Sequence, residues 1–239
     1  MANVTQPGLL KDAELTPSGP TANVFVALHL VEQRRYTPRG KERRAQILKL
    51  AAKRFAANGY HLTSVSDIVT ECKVGKGVFY WYFESKESLF TEIIRETQLS
   101  LRRHQRRAIG FEIDPLVRME MGLTATMQWY AANRHVFALF QFAAAESAFA
   151  HLIVDGAEVG IADTMRHVKD GIASGQIHDG DPLMITYAIV GVTSALARRF
   201  LDDATSGASP EEVAAEATAF VLYGLGTAPR PVEAPSHSG

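Results

Sequence analysis

Two short apolar-patterned stretches, Val65 to Cys72 and Lys76 to Phe83, are separated by only Lys73, Val74 and Gly75. Ser64 stands three residues before Asp67, the pattern that opens a helix, and Val65, Ile68 and Val69 give that helix a narrow apolar face about two turns long. Upstream, Ile47, Leu48, Ala51, Ala52 and Phe55 recur at spacings of three and four until Gly59 ends the pattern. Two short helices across so tight a turn, backed by a longer helix, are a helix-turn-helix. Val74, Phe79 and Phe83 are then the inward set, and Lys76, Gly77, Val78, Tyr80, Trp81 and Tyr82 are candidates to face out.

The rest of the chain continues the helical pattern. Ser85 caps a long helix through Leu89, Phe90, Ile93 and Ile94. Asp114-Pro115 opens another to about Asn133, Arg134 to Ala150 and Asp155 to Ala173 form two more, one ends near Asp203, and Ser209-Pro210-Glu211-Glu212 starts the last. No β-branched alternation or hairpin dipeptide interrupts them. The expected fold is all-α: a flexible arm over 1–40, a three-helix DNA-binding domain over 41–95, a larger helical domain over 96–226 and a disordered tail over 227–239. An apolar patch from Val24 to Val31 has the pattern of a short helix, but an isolated helix of that length is marginal in water, so the arm is expected to order only in context.

Charge is segregated along the chain. Residues 33–110 hold 17 Lys and Arg against 7 Asp and Glu, a balance of +10, whereas residues 111–239 hold 7 against 16, a balance of −9. A basic helix-turn-helix module fits a polyanion, and its acidic neighbour has a different task. Lys76 supplies charge, Gly77 lets the backbone approach closely, and the aromatics add hydroxyl or indole donors and contact for a thymine methyl. With one cysteine, Cys72, no intramolecular disulfide can form. The lack of a secretory leader and of any run of about eighteen apolar residues points to a cytoplasmic protein with no membrane partner.

Arg44 to Ile94 resembles the TetR family of bacterial transcriptional regulators. The resemblance rests on Phe55-Ala56-Ala57-Asn58-Gly59-Tyr60, Thr63-Ser64-Val65 with Asp67-Ile68, Val74 to Phe83, and Ser85-Lys86-Glu87 with Leu89. It implies DNA contacts at Thr63, Ser64, Val65, Lys76, Gly77, Tyr80, Trp81, Tyr82 and Lys86, to which the outward reading of the recognition helix adds Val78. Val78, Trp81 and Lys73 depart from the commonest pattern, which leaves the operator sequence open. The resemblance also implies a ligand-binding domain and a homodimer built from the last two helices, where Ala214, Ala217 and Gly224 would allow close approach.

Composition alone suggests the ligand. Trp129, Tyr130, Phe137, Phe140, Phe149, Met165 and Tyr187, with His151 as a polar member, are candidates to line a cavity for a largely apolar, acyl or aromatic effector. Arg134, His135, Glu146 and His167 are further polar candidates. His151 with Asp155, and Asp163 with His167, stand four apart, but no third ligand converges, so no metal and no cofactor are expected. The reading is a ligand-responsive repressor that binds a palindromic operator. An architectural DNA-binding protein without ligand control is the alternative, and an all-helical enzyme, for which no catalytic motif is present, a weaker one.

Overall fold

The computed structural model describes residues 36–202 and 207–225; the Val24–Val31 patch and the tail from 227 lie outside them. Every regular element among the described residues is helical: α1 (Pro38–Asn58), α2 (Val65–Glu71), α3 (Lys76–Tyr82), α4 (Lys86–Ile109), α5 (Pro115–Ala132), α6 (Val136–Ala145), α7 (Ala150–Ala173), α8 (Pro182–Leu196), with a π-helical turn Ala197–Leu201, and α9 (Pro210–Leu225).

The caps are those the sequence calls for. Ser64 and Asp67 form a reciprocal capping box on α2, and Ser85 and Ser88 form another on α4. Asp114 and Asp181 each accept from backbone N–H groups ahead of a first-turn proline. Gly59, at φ 83°, ends α1 in the left-handed region, and its N–H donates to the Phe55 carbonyl. Lys73 occupies the same region at φ 53° in the turn between α2 and α3, which costs a residue with a Cβ about 1 kcal/mol.

Two elements differ from the sequence expectation. The helix expected over Arg134–Ala150 is shorter, because the chain turns at Glu146 and Ser147 before α7 begins at Ala150 rather than Asp155. Pro182–Leu201 forms a continuous helical run of 20 residues with mean hydropathy 1.2, long and apolar enough by composition to cross a membrane, although only 28% of it is buried. Counting unbroken apolar residues misses it because Arg198 and Arg199 interrupt the run near its end.

The helix-turn-helix does not sit apart from the body. Residue 95 lies inside α4, a single helix that leaves the first three and runs on beside α5. One buried cluster holds Ile47, Phe55, Ile68, Phe79 and Phe90 together with Leu139 and Ala143 of α6 and Phe149 and Leu152 at the start of α7. Tyr60 is its hub: the ring lies 5.0 Å from both Phe90 and Phe142 and 5.5 Å from Phe149, and the hydroxyl donates to Glu87. Burial and the Glu87 carboxylate push the Tyr60 hydroxyl well above its ordinary pKa, so it stays a proton donor.

Candidate functional site

α3 is short and divided. Phe79 is fully buried, and Phe83 just beyond the helix joins it in the core with Val74 packed alongside. On the other side Lys76 and Gly77 are exposed, Tyr80 and Trp81 are each 54% exposed and Val78 is 41% exposed. Tyr80 lies edge-on to Phe79 and Trp81 edge-on to Tyr82, yet each keeps about half of its surface in water, which suits this face to being covered.

The other candidate DNA contacts are placed less simply. Ser64 is exposed at the α2 N-terminus, where its hydroxyl accepts from the Asp67 N–H and donates to the Asp67 carboxylate. Thr63, expected to reach outward, is buried, and its hydroxyl donates to the Gly59 carbonyl at 2.9 Å, which spends it on the turn. Val65 and Tyr82 are half-buried against the core. The Lys86 ammonium lies 4.2 Å over the Tyr60 ring and donates to the Tyr60 and Thr63 carbonyls, so it ties the α1–α2 connection to α4. Some of the segment's cations are paired with its own acids, which the balance of +10 already counts: Arg44 pairs with Glu92, and Arg54 bridges to Asp67 and Glu71 of α2. Cys72 is half-buried, and burial followed by the Glu71 charge raises its thiol pKa, which disfavours the reactive thiolate.

In the body, α4, α5, α7 and α8 enclose a cavity of about 640 Å³. Cross-links fix the directions of its walls. Gln105 donates to Thr126 and Trp129 to Ser100, so α4 and α5 are antiparallel; Gln98 donates to the Leu152 carbonyl near the start of α7, so α4 and α7 run together. The two ends therefore differ. Towards the helix-turn-helix the lining includes Tyr130, Phe140 and Ile153, Leu101 and Arg102 stand side by side nearer the middle, and the far end includes Arg106, Arg118, Arg166 and His167 among the apolar Ile109 and Met119, with Asp163 as the acid of the lining.

Glycine makes the space. The Gln98 amide lies 2.1 Å from where a Gly156 Cβ would stand, so Gly156 lets that side chain cross to α7. Four residues on, a Cβ at Gly160 would meet no atom within 4 Å, because the position opens into the cavity.

Of the eight candidate ligand residues, Tyr130 and Phe140 line this cavity, and His167 does so among the other polar candidates. Trp129 is buried with its indole N–H on Ser100, Phe137 stacks on Tyr130 at 4.9 Å, and Phe149 belongs to the core under Tyr60. His151 and Tyr187 are exposed, and Met165 is half-buried outside the lining. Arg102, Arg106, Arg118 and Arg166 carry no aromatic signal, so a reading of aromatic content does not find them. The spacing of Gly156 and Gly160 inside a helix was the available clue, since each costs about 1 kcal/mol against alanine unless its missing side chain is used. Among the described residues no three His, Cys, Asp or Glu side chains gather as metal ligands.

A helix-turn-helix whose exposed face is basic and aromatic, rooted in a helical body with a cavity, defines a DNA-binding regulator fold. Residues 47–93 match the bacterial regulatory proteins of the tetR family. The chain is 48% identical over 54 residues to the uncharacterized regulator YuxN of Bacillus subtilis, covering 23% of this chain and 19% of that one. It is 30% identical over 99 residues to the transcriptional repressor KstR2 of Rhodococcus jostii, covering 41% and 48%. The chain thus spans about a fifth and about half of these two relatives. A tetR-family regulatory protein from Rhodococcus RHA1 has the same fold, with TM-score 0.65 over 78% of this chain and 98% of that one at 24% identity. Residues 47–93 thus carry the sequence pattern of the tetR-family regulatory proteins, and the chain as described shares the fold of a tetR-family regulator.

Proposed function

We propose that this protein is a cytoplasmic transcriptional repressor that binds a palindromic operator as a homodimer and releases it when a small molecule fills the cavity. The observation that carries the reading is the shared core: Ile153 and Gly156 line the cavity, and Phe149 and Leu152, one turn earlier on α7, pack against Tyr60 and Phe90 beneath the helix-turn-helix. A ligand that displaces the start of α7 displaces the support of α3. It weakens DNA binding by as much as it prefers the displaced state.

An unpartnered apolar face supports the homodimer. Tyr187 and Met184 on α8 and Phe220 and Tyr223 on α9 are 57–89% exposed, with Gly191 and Gly224 beside them. The face differs in detail from the one expected, since Ile185, Ile189, Val213, Ala214 and Ala217 are spent on packing within the subunit. It also gives the apolar run Pro182–Leu201 an occupant other than lipid: a second copy of the chain. Phe220→Asp is expected to leave the subunit folded and convert the dimer to monomer at micromolar concentration, read by sedimentation; an unchanged mass removes this face from the interface.

The function is tested by selecting bound fragments from a sheared host genome and titrating the best against random duplex at fixed salt. A palindromic site preferred by about a thousandfold or more is the expected result. Equal affinity for unrelated duplexes would establish the architectural alternative instead.

A further inference from the structure

The arginine-rich end of the cavity is out of keeping with a purely apolar occupant. α4 brings Arg102 and Arg106, α5 brings Arg118, and α7 brings Arg166 and His167. Arg118 pairs with Asp170 at 2.7 Å, and Arg166 pairs with Asp163 on its own helix. Arg102 and Arg106 make no ion pair among the described residues, although Asp163, already paired with Arg166, lies near enough to Arg102 to act on its charge. Arg102 is the more telling of the two: it is half-buried, and burial, reinforced by Arg106 and Arg103, lowers its pKa although Asp163 opposes the shift. Two further donors are idle. Arg118 Nε and His167 Nδ1 are buried without a hydrogen-bond partner, and both side chains line the cavity. Native proteins leave few such atoms unsatisfied, and two from facing helices of one cavity mark a place suited to a polar partner.

We propose that the effector is an amphipathic oxyanion, a carboxylate or phosphate on an apolar tail, whose head is held by Arg102, Arg118 and His167 and whose tail lies toward Leu101, Ile153 and Phe140. The inference rests on the ligand-controlled reading above and names the chemistry of that site. Net positive charge with too few acids attracts an anion and repels a cation of equal size, and guanidinium groups match the oxygens of a carboxylate or phosphate in pairs. From Gln98 to Ile109 the wall contributed by α4 is about 16 Å long, with Arg102 about 6 Å and Arg106 about 12 Å along it from Gln98. The volume falls in the usual range for a small-molecule site, about 300–1,000 Å³.

The test uses the full chain with three probes of equal tail length below their micelle concentrations: dodecanoate, 1-dodecanol and dodecyltrimethylammonium. Calorimetry is expected to show one dodecanoate per chain, at least about tenfold tighter than either other probe. Arg102→Gln is expected to lose that advantage, binding dodecanoate about tenfold more weakly and dodecanol as before. Without ligand the same variant is expected to melt a few degrees higher, because a buried unpaired charge has gone. An arginine that merely braced the helices would lower the melting point and leave the head-group preference intact, which overturns the proposal. Equal or tighter binding of the ammonium or the alcohol, with release of the selected DNA fragment, overturns the oxyanion and leaves ligand control standing. If none of the three binds and none releases DNA, both fall.

Discussion

Replacing Lys76 or Tyr80 by alanine is expected to weaken operator binding by about two orders of magnitude while the protein stays folded. Both side chains stand on the open face of α3, behind which Phe79 and Phe83 fix the helix. A phosphate or base contact contributes about 1–3 kcal/mol, and a dimer on a palindrome loses it twice, so about 2–6 kcal/mol disappears from each complex. The two residues differ in how they lose it. Lys76→Ala removes a charge at both half-sites and flattens the dependence of log affinity on log salt by about two, equally for every sequence. Tyr80→Ala leaves the salt slope alone and narrows the gap between operator and random duplex. Titrations of both variants at several salt concentrations separate these outcomes. The melting temperature should hold, because exposed side chains away from caps and cores change stability by no more than about 0.5 kcal/mol. Normal binding by both folded variants would move the recognition surface off α3.

That face could be read from residue order because a two-turn helix leaves little choice. Once Phe79 and Phe83 turn inward, Lys76, Tyr80 and Trp81 must turn outward, and local periodicity suffices to say so. Thr63, Tyr82 and Lys86 are different. Their surroundings come from elements far along the chain: Thr63 closes onto Gly59, and Lys86 reaches back 26 residues to the Tyr60 carbonyl. A helical pattern shows that a residue faces something and does not show what the other wall is made of. The same limit governs the cavity. Trp129, Phe137 and Phe149 are helical, apolar and buried, as expected, yet each faces core, because which face of α5 or α6 meets the cavity depends on how α4 and α7 cross them. Arg102 and Arg118 look like ordinary surface arginines in sequence, and only the packing of α4, α5 and α7 puts both in the lining of one cavity. The proposed dimer face shows the reverse: α8 and the second half of α9 are largely apolar, so periodicity could not say that Ile185 and Ala217 turn in while Tyr187 and Phe220 turn out.

Gly160→Leu is expected to abolish effector response while leaving operator binding within about twofold of the original protein. The position lies inside α7, where leucine is favoured over glycine by about 1 kcal/mol, and its Cβ would enter open space, so the substitution should stabilise the chain. Its placement decides its effect. Gly160 stands midway along the cavity, one turn from Gly156 at the apolar end and within two turns of His167 at the charged end. A leucine there need not fill the whole volume; it has only to divide it, so that no molecule can place its head against Arg102 and its tail against Phe140 together. Since α3 is carried by Phe79, Phe83 and Tyr60, none of which touches residue 160, the unliganded support of the recognition helix is unaltered. A variant that holds the selected fragment but needs at least about a hundredfold more effector to release it would show that the cavity is the control site. One that releases DNA at the original effector concentration would show that the molecule responds to something bound elsewhere, and the shared core under Tyr60 would then be a structural support with no part in signalling.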